Sequence, residues 1–194
     1  MKVAVGIDIG GTKVAVALIN ENGEIVSRSQ SPSQTASAES LYQGVVQLVD
    51  KVLNDNDLRI QDTYGIGVGL PGKVDVENGV AIFQNNIPWA NFPIVERLKE
   101  TYGDIPVKID NDVKVAAYAE YRMLNLKPTD MFGYVTVSTG IAATNIVNNT
   151  ILRGEGFSGE IGFVKVPYFE CLEALEVACS GVGIERTGRE IYED

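Results

Sequence analysis

The sequence predicts an α/β protein with a mixed sheet and helices, in which an N-terminal domain is followed by the start of a second, similar domain. Two observations lead to this prediction. Short apolar strands alternate with helix-like segments, and a three-strand meander occurs twice, at the start of the chain and again from Phe132. Such a duplication favours two related domains, which we place at residues 1–110 and 111–194.

The first predicted domain opens with three strands that turn at Gly10-Gly11 and at Asn22-Gly23. Apolar residues then recur at helical spacing from Leu41 to Leu53, and a short apolar strand ends at Pro71-Gly72. A second helix is predicted over residues 94–101, after a proline-rich passage. The predicted strands cover residues 2–8, 13–19, 24–30, 64–70 and 107–110.

The second predicted domain begins with a helix from about Asn111 to Met123 and continues with the second meander. Its strands cover residues 134–138 and 142–147, and a turn at Asn148-Asn149 leads to a third, short strand. A final helix is predicted over residues 182–194. No Gly or Pro terminator follows it, so we expect this domain to be incomplete.

The charge balance restricts the class of partner. The chain has 194 residues, with 16 Lys and Arg against 26 Asp and Glu, and its net charge is −10. This charge opposes attraction to nucleic acid and to anionic membrane surfaces. A small-molecule partner fits better, and the absence of a leader-like N-terminus or a long apolar run predicts a cytoplasmic protein.

The residue types present also limit the chemistry. There is no histidine, and Cys171 and Cys179 are the two cysteines of the chain. Unless another chain contributes ligands, a closed tetrahedral zinc site and a histidine-based triad are excluded. Catalysis would have to use carboxylates, lysine, hydroxyl groups or the backbone.

The first motif is the bend at residues 8–13, which reads DIGGTK. Glycines at such a bend allow backbone amides to approach an anion closely, the Thr12 hydroxyl adds a donor, and Asp8 can hold a metal ion through water. The bend is therefore a candidate phosphate site. The alternative is an ordinary hairpin turn with Asp8 and Lys13 in solvent, because Gly-Gly turns are common hairpin connections.

The second motif is Asp110-Asn111-Asp112, where a predicted strand meets a predicted helix. The carboxyl ends of strands form the usual ligand edge of an α/β sheet, and helix starts favour ionised carboxylates. Such a carboxylate can accept a proton from a substrate hydroxyl. The alternative is that Asp110 caps the helix, although this leaves Asn111 and Asp112 unexplained.

Other glycine-rich stretches have two readings as well. The bend at residues 138–141 is the counterpart of the first bend, so the two could contact one phosphate chain, or it is a second hairpin turn. The loop at residues 154–162 is either a set of acceptors for sugar hydroxyls or a solvated loop. Residues 69–73 and 85–89 are either turns or polar walls of a pocket.

Together and in this order, five motifs resemble those of the ROK family of bacterial sugar kinases and sugar-responsive repressors, within the actin-like ATPase superfamily. They are DIGGTK, GVGLPG, IDNDVKVAAYAE, STGI and GEIG, at residues 8–13, 67–72, 109–120, 138–141 and 159–162. The resemblance covers the whole chain. It implies an actin-like, ribonuclease H-like fold that uses ATP and Mg²⁺.

The resemblance also implies roles for individual residues. Asp112 resembles the base that takes a proton from the primary hydroxyl of a sugar. The residues that resemble phosphate-binding positions are Asp8, Gly10, Gly11, Thr12 and Lys13 in the first bend and Thr139 and Gly140 in the second. Those that resemble sugar-binding positions are Gly72, Lys73, Asn86, Asn111, Glu160 and Glu176. No metal ligand set is implied within the chain.

Several positions depart from the family pattern. Phe163 stands where the family often has a histidine that serves sugar and zinc, and the cysteine-containing loop after it is short, so no zinc is expected. Glu176 is the third acidic sugar ligand if Ser180-Gly181 anchors the match, with Glu173 as its rival. The second bend has fewer glycines than is usual, and the adenosine-binding segment would lie beyond Asp194.

The expected function is ATP-dependent phosphorylation of a hexose at its primary hydroxyl. Candidate substrates are glucose, fructose, mannose and an N-acetylhexosamine, and a homodimer is a possible assembly. The alternative is a non-catalytic sugar sensor or regulator derived from such a kinase. Asp112 favours the enzyme, whereas Phe163 and the altered second bend favour the sensor.

Overall fold

The computed structural model describes residues 2–192. It divides into two compact units, Met1–Asp112 and Val113–Asp194. The division falls two residues after the end of the first predicted domain. Asp112 therefore belongs to the first unit, and the helix that begins with Asp112 continues in the second.

The first unit is built on a five-stranded mixed sheet with the strand order β3-β2-β1-β4-β8. Strands β1 to β3 are the predicted antiparallel meander, while β4 and β8 run parallel to β1. The strands of the unit are β1 (Ala4–Ile9), β2 (Lys13–Ile19), β3 (Ile25–Pro32), β4 (Ile66–Leu70), β5 (Lys73–Asp75), β6 (Val80–Phe83), β7 (Ala90–Phe92) and β8 (Val107–Asn111). The mixed sheet predicted from the sequence is present.

Two helices contribute to the core of this unit, α1 (Ala38–Asn54) and α2 (Ile94–Tyr102). The Ser37 hydroxyl accepts a hydrogen bond from the Ser40 amide and so caps the start of α1. The apolar stripe of α1, predicted from its helical spacing, is buried with the apolar residues of β1, β2 and β4. The Tyr42 hydroxyl of α1 donates to the Arg97 carbonyl of α2 at 2.6 Å, which ties the two helices together.

Strands β5, β6 and β7 form a small antiparallel sheet that the sequence did not predict. Each has only three or four residues, too few for apolar alternation to be recognised against the neighbouring turns. Trp89 anchors this region because its indole is buried, stacks on Phe92 at 4.5 Å between ring centroids, and donates to the Ala38 carbonyl at 3.0 Å.

The second unit contains the second meander, as an antiparallel sheet in the order β11-β10-β9. Its strands are β9 (Met131–Val137), β10 (Ile141–Val147) and β11 (Thr150–Ile151), and α3 (Asp112–Met123) precedes them. The predicted turn at Asn148-Asn149 is present, and both residues have positive φ, of 50° and 59°. Two consecutive left-handed residues are typical of the type I′ hairpin turn, for which Asn is well suited.

A second hairpin, also absent from the prediction, consists of β12 (Lys165–Tyr168) and β13 (Cys171–Ala174). It leads into the short helix α4 (Leu175–Cys179) and then α5 (Gly181–Tyr192). The predicted C-terminal helix over residues 182–194 corresponds to α5. Its last two residues lie outside the described part of the chain.

The second unit exposes much more apolar surface than the first. On β9 the side chains of Met131, Val135 and Val137 are 80%, 59% and 59% exposed, and Ile184 and Ile191 of α5 are exposed as well. Strand β9 is also an edge of its sheet. Within residues 2–192, no helix is both long enough and apolar enough to span a membrane.

Candidate functional site

The candidate site of the first unit lies where three parallel strands end. Strands β1, β4 and β8 run side by side, with Asp8 opposite Gly69 and Gly69 opposite Asp110. Adjacent strands are about 4.8 Å apart, so the backbones at Asp8 and Asp110 are separated by about 10 Å. The predicted loops after these strands therefore start from one edge of the sheet, which is the usual ligand edge of this fold class.

The first predicted phosphate bend is held by hydrogen bonds at its base. The Gly10 amide donates to the Lys13 carbonyl at 2.9 Å, which closes the turn between β1 and β2. The Ser33 hydroxyl donates to the Gly10 carbonyl at 2.6 Å, and the Ser33 amide donates to the Thr12 carbonyl at 2.9 Å. The side chains of Asp8, Thr12 and Lys13 are exposed. The backbone of the bend is thus held by hydrogen bonds, and its polar side chains are accessible to solvent.

Ser33 is a site residue that sequence reasoning missed. It follows β3, and its hydroxyl reaches a carbonyl of the bend 23 positions earlier in the chain. Nothing in the local pattern marks this serine, because its partner is distant in sequence. The meander register, which sets Lys13 opposite Pro32, is the one signal that could have pointed to it.

The structure brings the first bend against Asn86. A Cβ atom added to Gly11 would lie 2.7 Å from the Asn86 carbonyl oxygen and 2.8 Å from its Cβ. No side chain fits at position 11 without displacing this backbone, so glycine is required here for close approach. Gly11, which is predicted to bind phosphate, and Asn86, which is predicted to bind sugar, therefore lie side by side.

A second group of predicted sugar residues lies after β4 and β8. The Asn111 side chain is buried and donates through Nδ2 to the Gly72 carbonyl at 3.1 Å. Gly72 has a φ of +75°, and a Cβ atom there would lie 2.3 Å from the Phe83 carbonyl oxygen. Lys73 is exposed at the start of β5, and Asp112 is half-buried at the start of α3. The structure thus gathers Gly72, Lys73, Asn111 and Asp112 at one place.

Gln84 lies beside this group and was not singled out by the sequence. Its side chain is 6% exposed, and its Nε2 atom donates to the Lys73 carbonyl at 3.2 Å. Its Oε1 atom is buried without a hydrogen-bond partner among the described residues, and a Cβ atom on Gly72 would lie 2.6 Å from it. The Oε1 atom of Gln84 is therefore a buried hydrogen-bond acceptor, without a partner among the described residues, in the wall of the site.

Three predicted residues of the second unit, Thr139, Gly140 and Glu176, lie at the bend between β9 and β10. Thr139 is exposed at this bend, and the Ile141 amide next to Gly140 donates to Oε2 of Glu176 at 2.9 Å. Glu160 lies half-buried directly before a 3₁₀ turn at Ile161–Phe163. Of these positions, the structure joins Gly140 and Glu176 most closely. That the bends of the two units face one ligand stays a prediction.

Glu173 and Glu176, the two candidates for the third acidic sugar ligand, have different surroundings. Glu173, on β13, lies 3.5 Å from the Lys165 ammonium across the hairpin and accepts a hydrogen bond from the Ala174 amide at 2.8 Å. The Ala174 amide, with a smaller contribution from Lys165, lowers the pKa of the Glu173 carboxyl below its usual value. Glu176 instead contacts the second bend. Glu176, and not Glu173, is thus the carboxylate that contacts the second bend, while its role as a sugar ligand stays a prediction.

The described residues contain no group of three or more His, Cys, Asp or Glu side chains able to hold a metal ion. Cys171 and Cys179 are exposed free thiols, and Phe163 is 70% exposed. The expectation that the protein binds no zinc stays a prediction, which elemental analysis of the purified protein would test.

Comparison with known proteins decides the family. The model of the ROK family matches residues 4–191. The chain belongs to the ROK family. The resemblance identified from the five motifs is thereby confirmed, and so is the fold, because ROK kinases of the actin-like ATPase type are its structural neighbours.

Individual ROK proteins resemble the chain at modest identity. A glucokinase of Halalkalibacterium halodurans is 31% identical over 195 residues, covering 96% of this chain and 59% of its own length. The xylose repressor of Bacillus subtilis is 29% identical, covering 85% of this chain and 43% of its own length. The crystal structure of a ROK glucokinase from Streptomyces griseus, in complex with glucose and AMPPNP, has a TM-score of 0.79 and 27% identity.

These ROK relatives are longer than the chain. The match to the Streptomyces griseus structure covers 98% of this chain and 61% of that one. The chain therefore spans between half and about three fifths of the glucokinases that it resembles. The similarity supports a sugar kinase at the level of the family, while both kinases and repressors are among the relatives.

Proposed function

We propose that the protein takes part in the ATP-dependent phosphorylation of a hexose at its primary hydroxyl. The observation that carries the proposal is the convergence of β1, β4 and β8, whose carboxyl ends present Asp8, Gly72 with Lys73, and Asn111 with Asp112 along one sheet edge. Phosphoryl transfer depends mainly on positioning and on charge neutralisation. Polar groups arranged along one edge are suited to both.

In this proposal Asp112 is the general base. It lies at the start of α3, directly after Asn111, whose side chain is fixed by its hydrogen bond to the Gly72 carbonyl. A carboxylate held there would accept the proton from the sugar's primary hydroxyl as the hydroxyl oxygen attacks the γ-phosphorus of ATP and ADP leaves. Lys73, Asn86, Asn111, Glu160 and Glu176 would bind sugar hydroxyls, together with the backbone of Gly72.

The first bend would hold the nucleotide phosphates. The close approach of Gly11 to Asn86 leaves no room for a side chain at that point, and the exposed Thr12 hydroxyl and Lys13 ammonium suit an anionic ligand. Asp8 would hold Mg²⁺ through water, and Thr139 and Gly140 would contact phosphate from the second unit. Bound Mg²⁺ would neutralise charge on the phosphates.

The test is Asp112→Asn, which keeps the shape of the side chain and removes its basicity. We expect the rate of single-turnover phosphorylation to fall by about a hundred- to ten-thousand-fold, with hexose affinity largely kept. Measurements use the full gene product, because the glucokinase relatives are longer than this chain. ADP release is measured over a panel of glucose, fructose, mannose and N-acetylhexosamines, and calorimetry measures binding of the preferred sugar.

Asp104→Asn is the matched control, because Asp104 is an exposed acid of the same unit, in the loop before β8. Its phosphorylation rate should equal that of the wild type. A near-normal single-turnover rate in Asp112→Asn would show that Asp112 is not the base. The carboxylate would then be a structural feature of the start of α3.

A sugar sensor is the second candidate, and the similarity to the xylose repressor of Bacillus subtilis favours it. The small number of glycines in the second bend also favoured a sensor, but Ala142, Ala143 and Thr144, which follow it, lie within β10 and not in the bend itself. A sensor would bind a sugar in calorimetry and release no ADP with any sugar of the panel. Either result separates the two candidates.

A further inference from the structure

The Glu176 carboxylate lies directly on the second bend. Its Oε2 atom accepts a hydrogen bond from the Ile141 amide at 2.9 Å. A Cβ atom on Gly140 would lie 2.3 Å from this oxygen. Any side chain at position 140 would therefore displace the carboxylate, and the glycine of the STGI motif is required for this contact.

The glycine at the end of the GEIG motif serves the same carboxylate. A Cβ atom on Gly162 would lie 3.1 Å from the Glu176 Cβ, 3.2 Å from its Oε2 and 2.4 Å from the Ile141 carbonyl oxygen. Gly162 is buried between these groups. Gly140 and Gly162, which belong to separate motifs, thus leave the space that the Glu176 side chain fills.

The segment that runs from α4 to the start of α5 holds the bend at a second point as well. Glu176 lies in its first turn, and Gly181, two residues after its end, donates through its amide to the Ser138 carbonyl at 2.8 Å. The Ser180 amide donates to the Glu176 carbonyl at 3.0 Å, which fixes the spacing of the two contacts. One short segment therefore fixes the bend through Ser138 on one side and Ile141 on the other.

We propose that Glu176 is a positioning residue for the second phosphate bend, acting through the Ile141 amide. In addition to the sugar contact proposed for it, the Glu176 carboxylate fixes the backbone at residues 138–141, and Thr139 and Gly140 are left as the contacts for phosphate. An acceptor that carries a charge makes a stronger hydrogen bond with an amide than a neutral acceptor does. The part of this inference that concerns phosphate rests on the function proposed above.

The direct test measures hydrogen exchange of the Ile141 amide by NMR, in the protein without ligands. Loss of a hydrogen bond to a charged group should speed local exchange by about tenfold or more, so Glu176→Ala should expose the Ile141 amide to this extent. Glu176→Gln keeps an oxygen acceptor and should stay within about threefold of the wild type. The Ile146 amide, in the middle of β10, reports any general loss of stability.

Glu173→Ala is the matched control, because Glu173 contacts Lys165 and the Ala174 amide instead of the bend. It should leave exchange at Ile141 unchanged. Unchanged exchange at Ile141 in Glu176→Ala would overturn the inference. So would equal exchange rates in the Gln and Ala variants, because the acceptor oxygen would then be irrelevant.

The functional arm measures binding of AMPPNP with Mg²⁺ to the full gene product by calorimetry. Glu176→Ala should weaken this binding by about tenfold, and Glu176→Gln should restore most of it. A residue that only contacts the sugar would change glucose affinity and leave AMPPNP affinity intact, which would contradict the inference. If the wild type binds no nucleotide, the proposed function fails, while exchange at Ile141 still decides whether Glu176 holds the bend.

Discussion

The Ser33 hydroxyl donates a 2.6 Å hydrogen bond to the carbonyl of Gly10. Since the Ser33 amide also binds the Thr12 carbonyl, one residue at the end of β3 holds two carbonyl groups of the first bend. A bend whose carbonyls are occupied in this way keeps a fixed backbone, which is the property that close anion binding by amides requires.

Replacing the Ser33 hydroxyl tests whether its hydrogen bond stabilises the first bend. Ser33→Ala removes one partly buried hydrogen bond, so we expect it to lower the free energy of unfolding by about 1 kcal/mol and to weaken AMPPNP binding. Urea unfolding followed by circular dichroism measures the first effect, and calorimetry the second. Ser31→Ala, two residues earlier and opposite Val14 in the sheet, is the control and should leave nucleotide affinity unchanged.

Thr144 lies in the middle of β10, and removal of its hydroxyl is predicted to have the opposite effect on the free energy of unfolding. It is 1% exposed, and its hydroxyl has no hydrogen-bond partner among the described residues. Because an unpaired buried hydroxyl is costly, Thr144→Val should leave the free energy of unfolding unchanged or raise it by about 1 kcal/mol.

A second buried threonine serves as the contrast for Thr144. The Thr63 hydroxyl donates to the Ile60 carbonyl at 2.7 Å and accepts from the Gly65 amide at 3.3 Å. Thr63→Val should therefore destabilise the protein by about 1–3 kcal/mol. Calorimetric melting of both variants checks the pair, and equal losses would contradict the assignment of Thr144 as unpaired.

Asp62 predicts how stability depends on pH. The Arg59 side chain, and next its backbone amide, lower the pKa of the Asp62 carboxyl below its usual value. A depressed folded-state pKa stabilises the protein above the unfolded value, and this contribution is lost as the pH falls through the folded value. The free energy of unfolding should therefore decrease below about pH 4.

Two variants isolate this contribution. Asp62→Asn removes the titrating group and Arg59→Gln removes the group that lowers its pKa, so each should flatten the loss of stability at acidic pH. Urea unfolding at about pH 5 and about pH 3, followed by circular dichroism, measures the slope. A wild-type slope in both variants would show that Asp62 does not titrate as described.

The outer face of β9 predicts self-association of the isolated 194-residue chain. Exposed apolar residues on an edge strand promote contacts between molecules, and Val135 and Val137 are each 59% exposed. The double change Val135→Thr with Val137→Lys should lower the average molecular mass in sedimentation experiments at high protein concentration. Tyr64→Thr, at an exposed position of the first unit outside any strand, should leave it unchanged.

The sequence predicted the features that repeat or that have a strong period. The two meanders, the apolar stripe of α1 and the turn at Asn148-Asn149 all have local signals, and the structure contains each of them. The family also followed from motifs within the chain, and it is confirmed. The sequence pattern was sufficient to predict these elements because each is determined by residues close to one another in the chain.

Features that depend on distant partners were not predictable. Strands β5 to β7 are too short to show a period, and the hydroxyl of Ser33 acts on a loop that begins far earlier in the chain. Likewise, the sequence did not reveal that Glu176, and not Glu173, accepts a hydrogen bond from the Ile141 amide. Such contacts are set by tertiary packing, and the sequence near each residue does not encode them.

Trp89, the single tryptophan of the chain, has a consequence for how folding can be observed. It is buried in the first unit against Phe92, so its fluorescence reports on that unit alone, while circular dichroism reports on both. Coincident melting curves from the two signals would show that the units unfold as one cooperative block. Separated curves would show that the two units unfold independently, and the indole would then report the unfolding of the first unit without any added label.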